Sequence, residues 1–174
     1  MICPTIQPTS NLFRPVTWLA LGFAFVLSGC IGPISPSFYT DSVSLQVDSD
    51  ANQTSATAVD LIAVYDENLL KIVMAMNAEK YFESIQQIKR DFPQAIEVFH
   101  WEVVPGRSVN FEKLRYKKTS PLGAVIFARF IAPGDHRKVI GTQENLVIHL
   151  MRDGFETYEE KSYDPIIEYH KESE

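Results

Sequence analysis

Cys30 is the residue whose surroundings most clearly indicate a chemical event. It follows two small residues, Ser28 and Gly29, and before them residues 16–27 form a run of twelve residues without a charged side chain. A transmembrane helix needs about 20 apolar residues, so this run is too short to cross a bilayer and is typical of the apolar core of a secretory signal. The pattern therefore predicts a signal peptide over residues 1–29, with a thiol directly after it.

The four residues Leu27-Ser28-Gly29-Cys30 resemble a bacterial lipobox, in which small residues fit a narrow peptidase site before the cysteine. The resemblance implies a diacylglyceryl thioether on Cys30, cleavage before it, and a further fatty chain such as palmitate on the new amino group. Two or three chains anchor a protein stably, whereas one binds marginally. Residue 31 is Ile rather than Asp, which under the sorting rule of such lipoproteins implies the outer membrane, with the domain on its periplasmic face. The alternative is a buried or free cysteine that follows an ordinary membrane anchor.

Residues 30–41 are interpreted as a lipidated tether, because Pro33, Pro36 and neighbouring Ser and Gly residues are typical of linkers. The whole chain has a net charge of −6, and cleavage would remove Arg14 and make the remainder more acidic. An acidic protein is a poor partner for nucleic-acid phosphates. The apolar fraction of 45% is that of a globular domain, so an ordinary hydrophobic core must stabilise it.

The remaining polar residues do not form a recognisable catalytic or metal motif. The four histidines are at least thirteen residues apart, whereas zinc sites usually include a close pair of ligands; they are His100, His136, His149 and His170. No nucleophile elbow and no glycine-rich phosphate loop occurs in the sequence. An acylated Cys30 cannot act as a nucleophile. The sequence therefore predicts a protein that is not an enzyme and has no metal, no small-molecule substrate and no cofactor apart from the covalent lipid.

One segment partly resembles a calcium-binding loop. Asp48, Asp50 and Asn52 alternate as calcium ligands do, but Gln53 stands where such loops need glycine, and the terminal glutamate is missing. Residues 48–58 contain no apolar side chain larger than alanine. We interpret them as a solvated loop, long enough to have a function.

The hydrophobic pattern predicts a mainly β, two-sheet antiparallel sandwich with a helical insert after the second strand. Seven short segments with turn signals between them carry alternating or, in residues 122–131, continuous apolar residues, and the latter segment is interpreted as a central strand. Apolar residues recur at helical spacing over residues 66–92, where Asp66 and Asn77 are candidate N-caps. The sandwich domain is predicted over residues 42–163 and an acidic tail over residues 164–174. The predicted strands are 42–47, 59–65, 96–104, 108–116, 122–131, 145–151 and 155–163.

Three surfaces are candidates for contact with a partner. They are the loop 48–58, the outward face of the helical insert, and two basic clusters that stand out on an acidic domain. The clusters are Arg115/Lys117/Lys118 and Arg137/Lys138.

The chain resembles the outer-membrane lipoprotein family of the type VI secretion system. The resemblance is carried by the lipobox, a loop after the first strand, a helical insert after the second, and three segments. These segments are residues 59–65 leading into helices with Tyr81-Phe82, the turn Trp101-Glu102-Val103-Val104-Pro105-Gly106, and the apolar residues 123–130.

This resemblance implies a transthyretin-like sandwich with a structural role. Such a protein anchors a trans-envelope secretion apparatus by binding the periplasmic part of an inner-membrane component. In the family the loop between the first two strands contributes to that contact, and the matching residues here are Asp48, Asp50, Asn52, Gln53 and Thr54.

Two other functions remain open from the sequence. The sandwich could bind another envelope protein or a small ligand outside any secretion system. A periplasmic hydrolase is the third reading, and it requires a concave pocket with a strongly perturbed carboxylate or histidine.

Overall fold

Two four-stranded β-sheets pack face to face in the computed structural model, which describes residues 38–118 and 121–160. The strand order is β4-β1-β7-β8 in the first sheet and β3-β2-β5-β6 in the second. The predicted signal peptide, Cys30 and the acidic tail lie outside the described residues. The strands are β1 (Ser42–Val47), β2 (Thr57–Val64), β3 (Ile96–Val103), β4 (Val109–Lys113), β5 (Gly123–Ala128), β6 (Arg137–Ile140), β7 (Asn145–Leu150) and β8 (Phe155–Glu159).

Neighbouring strands pair antiparallel, with one exception at the centre of the first sheet. There β1 and β7 run parallel, from Ser42 opposite Asn145 to Val47 opposite Leu150. The mainly β sandwich predicted from strand spacing is therefore confirmed, and the parallel pair is a feature that strand spacing does not reveal.

The two central strands of the second sheet, β2 and β5, are buried on both faces, which explains their continuous apolar residues. Leu61 and Ile126 face the first sheet, where they meet Leu45 and Ile148 in the core between the sheets. The alternate residues of β2 and β5 face the helices and form a second core, which includes Ile62, Val125 and Phe127. Every residue of β5 is buried, as expected for a strand covered on both faces.

Two helices cover the second sheet, and both begin where the sequence places an N-cap. Asp66 accepts a hydrogen bond from the Leu69 N–H at 2.8 Å, at the start of the helix Glu67–Met74. Asn77 accepts one from the Lys80 N–H at 3.0 Å, at the start of the helix Ala78–Asp91. These side chains satisfy N–H groups that have no partner within the helix. Within the described residues no helix has the length and apolarity needed to cross a bilayer.

The strand β6 is absent from the sequence prediction, which has Arg137 and Lys138 as a basic cluster beside a loop. In the structure residues 137–140 pair with β5 at the edge of the second sheet, and only Ile140 is buried. An edge strand with one buried side chain has no alternating pattern to detect, and charged residues are common on such edges.

The predicted tether extends too far into the domain. Phe38 is buried and packs edge-to-face on Tyr116, with ring centroids 6.2 Å apart. Tyr39 forms a parallel bridge with Thr142. Residues 38–41 are therefore part of the packed domain, and the chain joins the sandwich before β1 begins.

Candidate functional site

The connection between β1 and β2 is a compact turn. Residues 48–56 make this connection, and at its centre Ala51–Thr54 turns tightly. Asn52, Gln53 and Thr54 have φ values of 46°, 53° and 67°. Three successive left-handed residues that are not glycine are unfavourable in isolation, so contacts with the rest of the domain must hold this conformation.

The side chain of Asn52 supplies those contacts. Its Oδ1 accepts the Ile131 N–H at 2.7 Å, and its Nδ2 donates to the carbonyls of Arg129 and Ala56 at 3.3 and 3.2 Å. Its own N–H donates to the Met151 carbonyl at 3.1 Å. Because Arg129 follows β5 and Met151 follows β7, Asn52 links the ends of both sheets.

The five residues expected to bind a partner differ in exposure. Gln53 and Thr54 are exposed, and the side chains of Asp48 and Asp50 are 45% and 51% exposed. Asn52 is only 2% exposed. The prediction of a solvated loop is therefore wrong for its centre, because Asn52 directs its polar atoms inward. The exposed side chains of the loop are the ones available to a partner.

An ion pair fixes the start of this loop to the first sheet. The Oδ1 of Asp48 lies 2.9 Å from Nε2 of His149 on β7, and Glu156 on β8 lies 3.6 Å from the other ring nitrogen. The hydrogen bond to Asp48 is the main cause that raises the pKa of His149, and the nearby Glu156 adds to it, against partial desolvation. The loop is thus held by a histidine whose charge depends on pH.

A turn and a groove extend the surface around the loop. Gly106, at φ 74° in the predicted Pro105-Gly106 turn, donates its N–H to the Asp48 carbonyl at 3.0 Å. A groove of about 790 Å³ lies between the start of the helix Ala78–Asp91 and residues 129–136. We call this part of the sandwich the loop end, comprising residues 48–56, 104–107, 129–136 and 151–154.

The lining of the groove is mixed, with more polar than apolar surface. Ile131 is 61% exposed, and the guanidinium of Arg129 lies 4.5 Å from the ring centroid of Phe82. Glu79 and Glu83 line the groove on the helix side. A single exposed apolar residue is common on protein surfaces, so the groove by itself does not identify a partner.

The loop end is opposite to the point where the chain enters the domain. Residues 38–41 precede β1, and residues 48–56 follow it. Six strand residues span about 20 Å at roughly 3.3 Å each, so β1 carries the chain from one end of the sandwich to the other. We call the end at residues 38–41 the entry end.

A buried polar cluster that the sequence did not reveal lies under the helices. Asp60 on β2 is 4% exposed, and its two oxygens bond the Tyr81 hydroxyl at 2.8 Å and Nδ1 of His100 at 2.5 Å. In the sequence Asp60 falls within the predicted strand 59–65, and the one indication of a buried polar cluster is a carboxylate among apolar residues. The hydrogen bonds of this cluster join one carboxylate, one phenol and one imidazole, and Glu102 lies 3.7 Å from the other ring nitrogen of His100.

The oxygens of the calcium-like pattern are engaged elsewhere. Asp48 pairs with His149, Asp50 lies 3.7 Å from Arg152, and Asn52 Oδ1 accepts a backbone N–H. Among the described residues, no group of three or more His, Cys, Asp or Glu side chains is arranged to hold a metal ion.

The fold defines the class of protein: a two-sheet sandwich whose second sheet carries two helices. No protein-family model matches the chain, and no curated protein is a significant match to its sequence. Its similarity to known proteins is therefore a similarity of structure.

Two solved structures with this fold are components of type VI secretion systems. The lipoprotein TssJ1 from Pseudomonas aeruginosa superposes with a TM-score of 0.53 at 13% identity, covering 70% of this chain and 95% of that one. The Serratia marcescens protein Lip, a membrane-bound component, superposes with a TM-score of 0.51 at 10% identity, covering 68% and 96%. The sandwich fold that the family resemblance implied is confirmed, because nearly the whole length of both proteins matches.

Proposed function

We propose that this protein is an outer-membrane lipoprotein that serves as a structural anchor of a type VI-like secretion apparatus. In this proposal fatty chains on Cys30 hold it to the periplasmic face of the membrane, and it has no enzymatic activity. The observation that supports it most is the match to nearly the full length of a type VI secretion lipoprotein and of a membrane-bound type VI component, in a chain whose own sequence resembles a lipobox.

The proposed partner is the periplasmic part of an inner-membrane component, bound at the loop end. The geometry favours this surface because β1 separates it from the entry end by about 20 Å. A lipid attached before residue 38 leaves the loop end directed into the periplasm. The exposed Gln53 and Thr54, with Asp48 and Asp50 beside them, are the side chains offered to the partner.

Lipidation is tested with Cys30→Ser in the full chain. Fatty-acid labelling of the wild type should give a modified mature N-terminal fragment, identified by its mass, and the serine variant should give none. A serine variant that still carries the label, or an unmodified wild-type fragment, would contradict the anchor. The serine variant retains its uncleaved apolar segment, so the mass of the fragment, rather than membrane association, is the deciding readout.

Partner binding is tested at the exposed loop side chains. The double variant Gln53→Ala/Thr54→Ala should reduce cross-linking to the inner-membrane component of the secretion complex at least tenfold in intact cells. Glu144→Ala, an exposed change near the entry end, is the matched control and should leave cross-linking unchanged. Equal recovery from the loop variant and the wild type would remove the loop from the interface.

A further inference from the structure

A basic patch lies at the entry end of the sandwich. It consists of Arg115, Lys117 and Lys118, all exposed. The segment that carries it is bonded directly to the entering chain: the Leu114 N–H donates to the Asp41 carbonyl at 2.7 Å, and the Tyr116 hydroxyl donates to the Thr40 carbonyl at 3.1 Å. The patch and the point where the anchor joins the domain therefore move as one body.

The patch is held in place from below by a buried carboxylate. Glu97 is 9% exposed and accepts the Lys117 N–H at 3.0 Å and the Tyr65 hydroxyl at 3.1 Å. Burial, followed by the charge of Glu97, raises the pKa of Tyr65 to about 12, so its hydroxyl remains a donor at neutral pH. The ammonium of Lys118 donates a hydrogen bond to the Gln94 carbonyl and lies 5.7 Å from the ring centroid of Tyr65. The backbone of the patch is thus fixed, and its three cationic residues remain exposed.

The charges of the patch are not neutralised within residues 38–118 and 121–160. The lysine and arginine ion pairs of that region use Lys71, Lys113, Arg137 and Arg152, and none involves a residue of the patch. Three cations on one surface of an otherwise acidic chain form a local positive field. Such a field attracts an anionic partner.

The length of the connecting chain decides which anion is within reach. Seven residues lie between Cys30 and Phe38, so eight Cα–Cα steps connect them; these span at most about 28 Å when extended and roughly 15 Å as a flexible coil. The field of a charged bilayer decays over a Debye length of about 10 Å. A connecting chain of this length lets the patch come within a Debye length of the bilayer but does not by itself hold it there, so the charges of the patch must supply the attraction.

Two exposed apolar side chains flank the patch. Tyr39 is 53% exposed and Leu122 is 38% exposed, and both lie at the entry end. Tyrosine is enriched at the membrane–water interface because its ring is apolar and its hydroxyl is polar. A basic surface bordered by such residues fits a headgroup region better than it fits bulk water.

We propose that Arg115, Lys117 and Lys118 bind the anionic phospholipid headgroups of the bilayer that holds the lipid anchor, and thereby orient the domain with its loop end away from the membrane. This rests on the proposed function in one respect, the lipidation of Cys30. Of the carboxylates at the same end, Glu144, Glu159 and Glu160 belong to the β7–β8 side. Those nearer the patch are already engaged: Asp41 pairs with Lys113, Glu67 pairs with Lys71, and Glu97 accepts N–H and hydroxyl groups beneath the patch. In the first sheet β7 is about 10 Å and β8 about 14 Å from β4, across two and three strand spacings, so the domain tilts with its β4 edge toward the bilayer.

The test is amine footprinting of the lipidated full-length product reconstituted in vesicles. Vesicles of phosphatidylcholine are compared with vesicles that contain about one third phosphatidylglycerol. Each cation near an anionic surface strengthens binding roughly fivefold. Because three cations bind together, acetylation of Lys117 and Lys118 should slow by about tenfold or more in the anionic vesicles. Molar salt should restore the original rate. Lys80, exposed near the loop end, is the internal reference and should react equally in both vesicles.

Matched charge reversals locate the effect in the patch. Arg115→Glu should remove most of the protection of Lys117 and Lys118. Lys138→Glu makes the same change in charge on the edge strand β6 and should leave the protection intact. Equal loss in both variants would show that total charge, and not the patch, attracts the domain, and would overturn the proposal.

The remaining outcomes separate this inference from the proposed function. Equal reactivity of Lys117 in the two vesicles, in protein whose mass shows the lipid, would overturn the patch proposal alone. Protection of Lys80 to the same extent would mean that lipid contacts the domain on all sides, and this result would also overturn the patch proposal. Protection that appears only on adding an acidic protein would assign the patch to a protein partner. A mature fragment without lipid would overturn the anchor and the patch proposal together.

Discussion

The hydroxyl of Tyr81 donates a 2.8 Å hydrogen bond to Oδ2 of Asp60, between the second sheet and the helix Ala78–Asp91. Both residues are buried, and the ring of Tyr81 stacks on Phe127 with centroids 4.0 Å apart. Burial, followed by the negative charge of Asp60, raises the pKa of Tyr81 far above its ordinary value, so the hydroxyl remains a donor. This bond joins the helical layer to the sandwich by polar as well as apolar contact.

We expect Tyr81→Phe to lower the free energy of unfolding by about 2 kcal/mol, because it removes a hydrogen bond to a buried charged group while leaving the aromatic stacking in place. Urea denaturation followed by fluorescence measures the change. Tyr158→Phe is the control, since it removes an exposed hydroxyl that donates to Gln46 at 2.8 Å. It should cost less than about 0.5 kcal/mol. An equal loss in the two variants would contradict the role given to the buried bond.

Substitutions of Asn52 should separate its hydrogen bonds from its backbone conformation. Asn52→Gly removes the three side-chain bonds but tolerates φ 46°, and it should cost about 2 kcal/mol. Asn52→Ala removes the same bonds and adds strain, so it should be less stable than the glycine variant by about 1 kcal/mol. Urea denaturation of both variants checks the order. An alanine variant as stable as the glycine variant would argue against a strained turn.

The loop should also lose its shape in these variants. Asn52 Oδ1 is the acceptor for the Ile131 N–H, so exchange of that amide with deuterium should speed up in both. Gln53→Ala leaves this acceptor in place and is the control, with no change expected at Ile131.

The two N-caps give a further prediction. Asn77→Ala should lower the free energy of unfolding by about 1 kcal/mol, because the Lys80 N–H loses its acceptor at the first turn of the helix. Asn77→Asp retains an oxygen at the same place and should keep the stability near that of the wild type. Thermal or urea unfolding of the wild type and the two variants measures these differences. An aspartate variant as unstable as the alanine variant would show that the side-chain oxygen at position 77 does not stabilise the helix.

The features predicted correctly from the sequence are those set by near neighbours. Asp66 and Asn77 cap helices through bonds to residues three positions ahead, so the local sequence contains the whole interaction. The strands β1, β2 and β5 follow from alternating or continuous apolar residues. The Pro105-Gly106 turn follows from the conformational freedom of glycine, which has φ 74° here.

The features that were missed depend on distant parts of the chain. Asn52 is bonded to residues 77 and 79 positions away, and Asp60 to residues 21 and 40 positions away. A polar residue in a polar loop gives no sign that such partners exist. The edge strand β6 has one buried side chain, and it forms because the outer edge of β5 is available for pairing. Topology, which the sequence pattern leaves open, decides these contacts.

The ion pair of His149 should make stability depend on pH. Asp48 and Glu156 raise the pKa of His149 above its ordinary 6.5, so the folded state holds the proton more tightly than the unfolded state. The stabilisation is fully present below pH 6.5 and is lost as the pH rises through the raised value. His149→Gln should therefore cost more free energy of unfolding at pH 5.5 than at pH 8.5.

The difference between the two pH values should be below about 1 kcal/mol, since Asp48 and Glu156 are well exposed and water screens the pair. Urea denaturation of wild type and variant at both pH values, repeated at high salt, measures it. Glu156→Gln removes the weaker of the two carboxylate partners and should reduce the pH dependence without abolishing it, because the hydrogen bond to Asp48 is the larger cause. A variant whose deficit is the same at pH 5.5 and 8.5 would mean that the imidazole contributes by packing alone, and the start of the loop would then be held by the backbone bonds of Asp48 rather than by its charge.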